Sequence, residues 1–407
     1  MTSDDNRYGW IMVGVTFGLT ALAFGGLAGV SVFIKPIAAE FGWSRGEVSF
    51  GYTAIALSSA VAGLFWGYAA DRVGTRPLAL IATVTMAGAL ILLSRLDALW
   101  QFYAFYFIFG ALGHGALSAP LYAAGGFWFS RNKGLAMGLM AAGGAVGQGV
   151  VPFIAAMLIV VYDWRTAYLA MGIAYVVCAL PLALLVRDPP ARILARETPA
   201  PGRSPSQDDD APVPLSPPAV LAWISVAVIF CCVCMAVPIV HVVPMLTDRG
   251  IAPETAAGVL FTLMLAGAAG RILGGKLADI VGALPAYMMM SLGQTVVVVW
   301  FAYLDWMPGI WALAVLFGLF FSGVMVSILN CVRVMIPARL SGRAMAIVSL
   351  FGWAGMGLGG VQGGVLFDLT GDYRWSYNTA VIAGAINLCI LSAFYAHLRR
   401  RTMVAEA

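Results

Sequence analysis

Apolar residues run through the chain in long stretches, with polar residues gathered between them. A helix that crosses about 30 Å of hydrocarbon needs about 20 largely apolar residues. Twelve stretches meet that length: 10–34, 48–70, 77–94, 100–125, 135–160, 167–186, 219–245, 255–278, 284–304, 309–334, 344–367 and 376–397. Between the sixth and seventh, residues 187–218 change character. RDPPARILARETPAPGRSPSQDDDAPVPLSPP is rich in proline and charge and cannot form a packed core. The pattern predicts an all-α membrane protein: a six-helix half over 1–186, a cytoplasmic linker over 187–218, and a second half with a short tail over 219–407.

Composition agrees with this reading and narrows it. Of 407 residues, 61% are hydrophobic and 10% charged, against about 25% charged in soluble domains. A soluble enzyme, a nucleic-acid binder and a disordered protein are excluded. The 47 glycines and 20 prolines suit membrane helices. All six cysteines (Cys178, Cys231, Cys232, Cys234, Cys331, Cys389) fall in apolar runs, so no disulfide framework is implied. Cys231-Cys232-x-Cys234 has no spaced second ligand pair; these cysteines read as small buried hydrophobes, and neither metal nor cofactor is expected. The start MTSDDNRYGW has no basic segment or cleavage site, so no cleaved leader is expected.

Lysine and arginine set the orientation. With the N-terminus inside, the inner segments hold fifteen of them, and the outer loops six: Lys35, Arg45, Arg95, Arg165, Arg249 and Arg374. Both termini and the linker are therefore expected in the cytoplasm, in a multi-pass protein of the plasma (inner) membrane.

The halves repeat at one offset. Gly67-Tyr-Ala-Ala70-Asp71-Arg-Val73-Gly74-Thr-Arg-Pro77 is matched 208 residues later by Gly275-Lys-Leu-Ala278-Asp279-Ile-Val281-Gly282-Ala-Leu-Pro285, and Arg131, Gly134, Ala136, Met137, Gly144 and Gly147 by Arg339, Gly342, Ala344, Met345, Gly352 and Gly355. One offset holding in two separate loops implies pseudo-symmetric six-helix halves related by an axis along the membrane normal, with substrate expected between them. The glycine runs Gly143 to Gly149 and Gly352 to Gly364 have no strand before them. They read as helix-packing surfaces rather than a dinucleotide fingerprint.

Gly67, Asp71, Arg72, Gly74 and Arg76, weakly repeated around Asp279, resemble the loop signature of the major facilitator superfamily. A finer resemblance is to its monocarboxylate-porter and oxalate:formate-antiporter branches. It rests on Tyr8-Gly9-Trp10, Ser31-Val-Phe33-Ile-Lys35, Glu47-Val48-Ser49, the Trp128 to Gly138 segment, His241-Val-Val-Pro244 and Ala269-Gly270-Arg271. The resemblance implies twelve transmembrane helices, alternating access, and an arginine at position 271 that binds the substrate carboxylate. It implies a conformational role for the loop motif, with Asp71, Arg72 and Arg76 stabilising the inner loop and capping neighbouring helices. The chain departs from the porters at Gly267, where an acid is common, at Ala28, where a lysine is, and at Ser118, where a tyrosine is; span eleven has no second cation. The usual proton-coupling pair is thus missing.

An ionisable residue inside the bilayer is expensive and marks function by default. None of the nineteen acidic residues falls in a span interior, whereas Arg271 lies past the middle of span eight among Gly267, Gly270 and Gly274. Its planar fork of donors suits a carboxylate. Arg333, near the inner end of span ten, shares a face with Asn330, Ser327 and Gly323; that stripe either lines a cavity or ends in an arginine snorkelling to the cytoplasm. His114, near Ser118 and Tyr122 in span four, is either a histidine bonded between helices or a proton responder. His241, one turn from the outer end of span seven, is an interfacial residue, an outer gate or a second proton-coupling candidate. Lys35 is expected to snorkel to the outer surface.

The expected activity is secondary active transport of small organic anions, monocarboxylates first, by alternating access. A proton or counter-anion is the coupled partner, and no covalent chemistry is involved. Arg271, Ser118, Tyr122, His114, Asn330 and Arg333 are the candidate substrate contacts, and the protein is expected to be monomeric. An exporter of hydrophobic or drug-like compounds would want an acid in its cavity. A non-transporting substrate sensor would want a larger cytoplasmic domain.

Overall fold

The computed structural model describes residues 3–125, 128–129, 133–189 and 213–406. Twelve helices among them are long and apolar enough to cross a membrane, and no strand is present among the described residues. The spans run Arg7–Phe41, Arg45–Ala70, Thr75–Leu93, Leu99–Tyr122, Leu135–Val161, Trp164–Leu184, Pro217–Asp248, Pro253–Val281, Ala283–Tyr303, Met307–Met335, Gly342–Thr370 and Arg374–Arg401. Each of the twelve apolar runs falls on one span. Most of the helices begin before their apolar stretch because the backbone ladder extends into polar end turns; the first runs Ser3–Phe41.

Local chemistry sets several ends. Span six starts where the Asp163 side chain accepts from Thr166 N at 2.7 Å, pairing one of the free N–H groups of the first turn. Spans three and nine start after Gly74 (φ 94°, ψ 168°) and Gly282 (φ 91°, ψ 157°), a left-handed backbone that glycine adopts without steric cost. These two glycines are 208 residues apart, as are Gly42 (φ 68°) and Gly250 (φ 81°). The repeat is therefore one of backbone conformation as well as of sequence.

The chain divides into two compact units. One takes in Met1–Trp43, Glu47–Gly202 and Leu246–Phe261; the other takes in Ser44–Gly46, Arg203–Met245 and Thr262–Ala407. Short segments of spans two, seven and eight thus group apart from the rest of their own half. Most of the expected linker, 190–212, lies outside the described residues.

In the first unit, spans one and five are in backbone contact: a Cβ on Gly147 would overlap the carbonyl of Ala21. In the second unit, a Cβ on Gly355 would overlap the carbonyl of Ile229, the pair found by adding 208 to both numbers. Close approach of this kind is how membrane helices associate without a hydrophobic driving force. Cys231, Cys232 and Cys234 are buried thiols in this packing.

Candidate functional site

Arg271 stands ten residues from the nearer end of span eight, deeper than any other charged residue in the described spans. No Asp or Glu in these spans is more than three residues from an end. The glycines around Arg271 bring span eight against span ten. A Cβ on Gly270 would overlap the Leu319 carbonyl, and one on Gly274 would come within 2.6 Å of the Gly323 carbonyl. Arg271 leaves the helix beside this seam, half-buried, with its Nε enclosed by protein. A guanidinium offers a planar fork of donors to an anion that reaches it.

Span ten splits the stripe read from the sequence. Ser327 is fully buried and donates to the Gly323 carbonyl of its own helix at 2.9 Å. Asn330 is half-buried, whereas Arg333 is exposed in the last helical turn, where a cation suits the helix dipole. Its position favours the snorkelling alternative.

In the first unit, His114 ends a π-helical turn, Phe109–His114, inside span four. This turn disturbs the usual carbonyl pairing, and span two supplies partners: Ser59 Oγ donates to the Gly110 carbonyl at 3.0 Å and Trp66 Nε1 to the Ala111 carbonyl at 2.7 Å. Such turns recur at functional sites. The His114 ring is 2% exposed and meets Phe24 edge to face at 4.5 Å. Ser118 donates to the His114 carbonyl at 2.9 Å, so its hydroxyl is turned onto its own helix. Tyr122 is half-buried two turns on, on the same face.

His241 is fully buried, with Nε2 2.7 Å from the Gly360 carbonyl and its ring 5.4 Å from that of Tyr373. It is thus a helix-to-helix contact rather than an interfacial residue. Nearby, Asp368 accepts from the backbone N–H groups of Arg45 (2.8 Å) and Gly46 (2.7 Å) at the start of span two. Arg45 donates to the Tyr373 hydroxyl at 3.2 Å and lies over the Phe367 ring. Lys35 does not simply snorkel. Its Nζ is 2.9 Å from Asp248 Oδ1 and donates to the Thr247 carbonyl, also at 2.9 Å.

The loop motif is exposed at Arg72, Arg76 and Asp279; Gly67 has open space around it, and the Asp71 side chain lies outside the described residues. The cap on span three comes from Asp188, which accepts from Thr75 N at 3.2 Å and Thr75 Oγ1 at 2.7 Å. Apart from these groups, a cavity of about 610 Å³ is lined by Arg95, Asp97, Asp163 and Arg165, and holds none of the candidate site residues.

The sequence profile of the Major Facilitator Superfamily matches residues 16–360 and, in a second match, 222–406. The chain belongs to that family and is a multi-pass membrane transporter, not an enzyme. It is similar to human monocarboxylate transporter 11 (26% identical, covering 92% of this chain and 80% of that one) and bovine monocarboxylate transporter 13 (27%, covering 94% and 88%). It is also similar to the riboflavin transporter RibJ of Trypanosoma brucei brucei, at 33% identity over 130 residues, and to rat monocarboxylate transporter 3, at 26% over 186 residues. The matched parts span 24% and 38% of those two relatives. In structure it resembles a bacterial homolog of the human lysosomal transporter Spinster (TM-score 0.70, 16% identical, covering 98% of each chain) and the nucleoside transporter NupG (0.75, 11%, covering 95% and 99%). These two likenesses show the fold alone.

Proposed function

We propose that this protein carries small organic anions, monocarboxylates first, by alternating access. One observation supports this most: the deepest fixed charge in the described spans is a cation, Arg271, and carboxylates appear only near span ends. A guanidinium cannot be deprotonated in this setting, and its fork pairs two donors with two carboxylate oxygens. The human and bovine monocarboxylate transporters aligned over most of their length support the same substrate class.

Asn330, nearer the inner end of span ten than the Leu319 to Gly323 stretch that packs beside Arg271, is a further proposed polar contact in the second unit. In the first unit, His114 and Tyr122 are the proposed contribution to substrate handling, with His114 the group that responds to protons. His241 has a lesser claim to that role, since its ring is engaged with Gly360. The motif Gly67, Asp71, Arg72, Gly74, Arg76 and Asp279 is assigned a conformational role at the cytoplasmic ends of the spans, with both termini in the cytoplasm of a plasma (inner) membrane protein.

The test is calorimetric titration of the purified protein with acetate, butyrate, succinate and riboflavin. Riboflavin has no carboxylate and stands for the relative that carries it. Butyrate should bind, and Arg271→Ala should abolish that binding while retaining the thermal midpoint of the unliganded protein. Equal butyrate affinity in wild type and Arg271→Ala would refute the assignment.

A further inference from the structure

The cavity of about 610 Å³ in the first unit lies at the end of span three (Leu93) and the start of span six (Trp164). These two helices are seamed together: a Cβ on Gly172 would overlap the Ile91 side chain and come within 3.1 Å of the Ala87 carbonyl. The cavity walls hold Arg95, Asp97, Asp163 and Arg165, and the fold uses only part of that charge. Arg165 is paired with Glu40 and donates to the Leu96 carbonyl at 3.2 Å. Asp163 caps span six through Thr166, and a carboxylate with about four acceptor positions retains some of them for a ligand. The Arg95 guanidinium and the Asp97 carboxylate make no hydrogen bond or ion pair among the described residues.

With Arg165 neutralised by Glu40, the cavity offers one free cation and two carboxylates. Their complement is a small zwitterion: an anion for Arg95, and an ammonium whose N–H groups Asp97 and Asp163 accept.

Position says what carries that zwitterion. The span ends put the cavity at the membrane surface. Trp100 and Tyr162, both exposed, flank its lining residues in the sequence, and such rings sit at the headgroup level. Toward the membrane interior the wall turns apolar. Leu169 lines the cavity and begins an exposed row, Leu169, Ile173 and Val176, on one face of span six. A charged mouth above an exposed apolar row matches a phospholipid, headgroup in the mouth and acyl chain along the helix. A free solute would leave the row unused.

We propose that this cavity binds a zwitterionic phospholipid with a primary-amine headgroup, its phosphate on Arg95, its ammonium on Asp97 and Asp163, and an acyl chain along Leu169, Ile173 and Val176. In the expected orientation the lipid comes from the outer leaflet. The two carboxylates set the selectivity. A quaternary ammonium has no N–H to donate to them, and an anionic glycerol headgroup has no ammonium at all.

The experiment is native mass spectrometry of the purified, delipidated full-length protein, titrated with phosphatidylethanolamine, phosphatidylcholine and phosphatidylglycerol of identical acyl chains. Wild type should hold one phosphatidylethanolamine about 10-fold more tightly than either of the others, the value of roughly one hydrogen bond to a charged group. Arg95→Gln combined with Asp97→Asn should erase that preference with the thermal midpoint unchanged, because neither side chain is bonded within the protein. Asp97→Asn alone leaves the Gln101 contact to the Asp97 backbone N–H in place. It should erase most of the preference and serves if the double variant does not fold. Asp163 is kept, since its loss would also uncap span six. Equal retention of all the lipids by wild type, or a preference that survives in the folded variants, overturns the proposal. Free O-phosphoethanolamine separates the two sources of the headgroup. Failure to displace the lipid in large excess supports the phospholipid; displacement at equimolar concentration would assign the cavity to a soluble zwitterion and overturn it.

Discussion

Arg271 and His241 show how differently two ionisable side chains are held in the same unit. Arg271 was legible because depth in an apolar run is a property of the sequence alone, and its glycine neighbours were on the page with it. His241 was legible only as a choice among roles, since its partner, the Gly360 carbonyl, lies 119 residues away. Replacing His241 with phenylalanine keeps the bulk and loses that bond, leaving a buried carbonyl with one partner fewer. Its thermal midpoint should fall by the equivalent of about 1 kcal/mol. A midpoint equal to wild type would show that the bond contributes nothing. Hydroxyls were the least legible groups. Ser118 and Ser327 are spent on their own backbones, whereas Ser322 is not, and nothing in Phe320-Phe321-Ser322-Gly323 distinguishes them before the neighbouring helix is seen. The partner of Lys35 was hidden for a related reason: Asp248 is 213 residues on, at the end of another span.

At the scale of helices, the glycine runs were read as packing surfaces, and the structure specifies which positions matter. Gly147 faces the Ala21 carbonyl, while Gly138, nine residues earlier in the same span, has open space around it. Gly147→Ala should therefore destabilise by about 1–3 kcal/mol, the usual cost of forcing atoms into a filled seam. Gly138→Ala should be neutral or slightly stabilising, since alanine is the better helix former. Thermal unfolding in detergent reads both, and equal midpoints for the two variants would contradict the seam. The cap on span six gives a pH test. The Thr166 backbone N–H holds the Asp163 carboxyl below its usual range. Its contribution is present at and above the ordinary carboxylate range and is lost as pH falls through the lowered value. Asp163→Ala should lower the midpoint at pH 7 and converge with wild type in acid; a gap that persists in acid would assign the loss to something other than the charge. Solvent around this exposed carboxylate keeps the effect small. The π-helical turn at His114 had no sequence signal, because it exists through carbonyls that Ser59 and Trp66 satisfy from a different helix.

Over the whole chain, span number and the repeat were open to reading because both are written in runs and offsets that need no contacts. The structure extended the repeat to positions with no sequence identity, such as Ala21 with Ile229 and Ile55 with Leu263, where only the backbone contact is shared. The exchange of Ser44–Gly46 and Leu246–Phe261 between the compact units was hidden, since it depends on partners far along the chain. The lysine and arginine bias makes a topology prediction. On a background without native cysteines, Asp97→Cys and Asp305→Cys should react with an impermeant maleimide on intact cells, and Arg203→Cys only after lysis. The reverse labelling would invert the orientation.

The central claim is that this transporter moves organic anions through a site built on Arg271, and uptake into proteoliposomes tests it most directly. Purified wild type, Arg271→Ala and Arg271→Lys would be reconstituted in parallel and supplied with radiolabelled butyrate under an inward proton gradient and under counter-anion exchange. Wild type should accumulate the label in one of the two regimes. Arg271→Ala should abolish it, and Arg271→Lys should fall at least about 10-fold, because an ammonium point charge cannot reproduce the bidentate fork. Uptake by both variants at the wild-type rate would contradict the account.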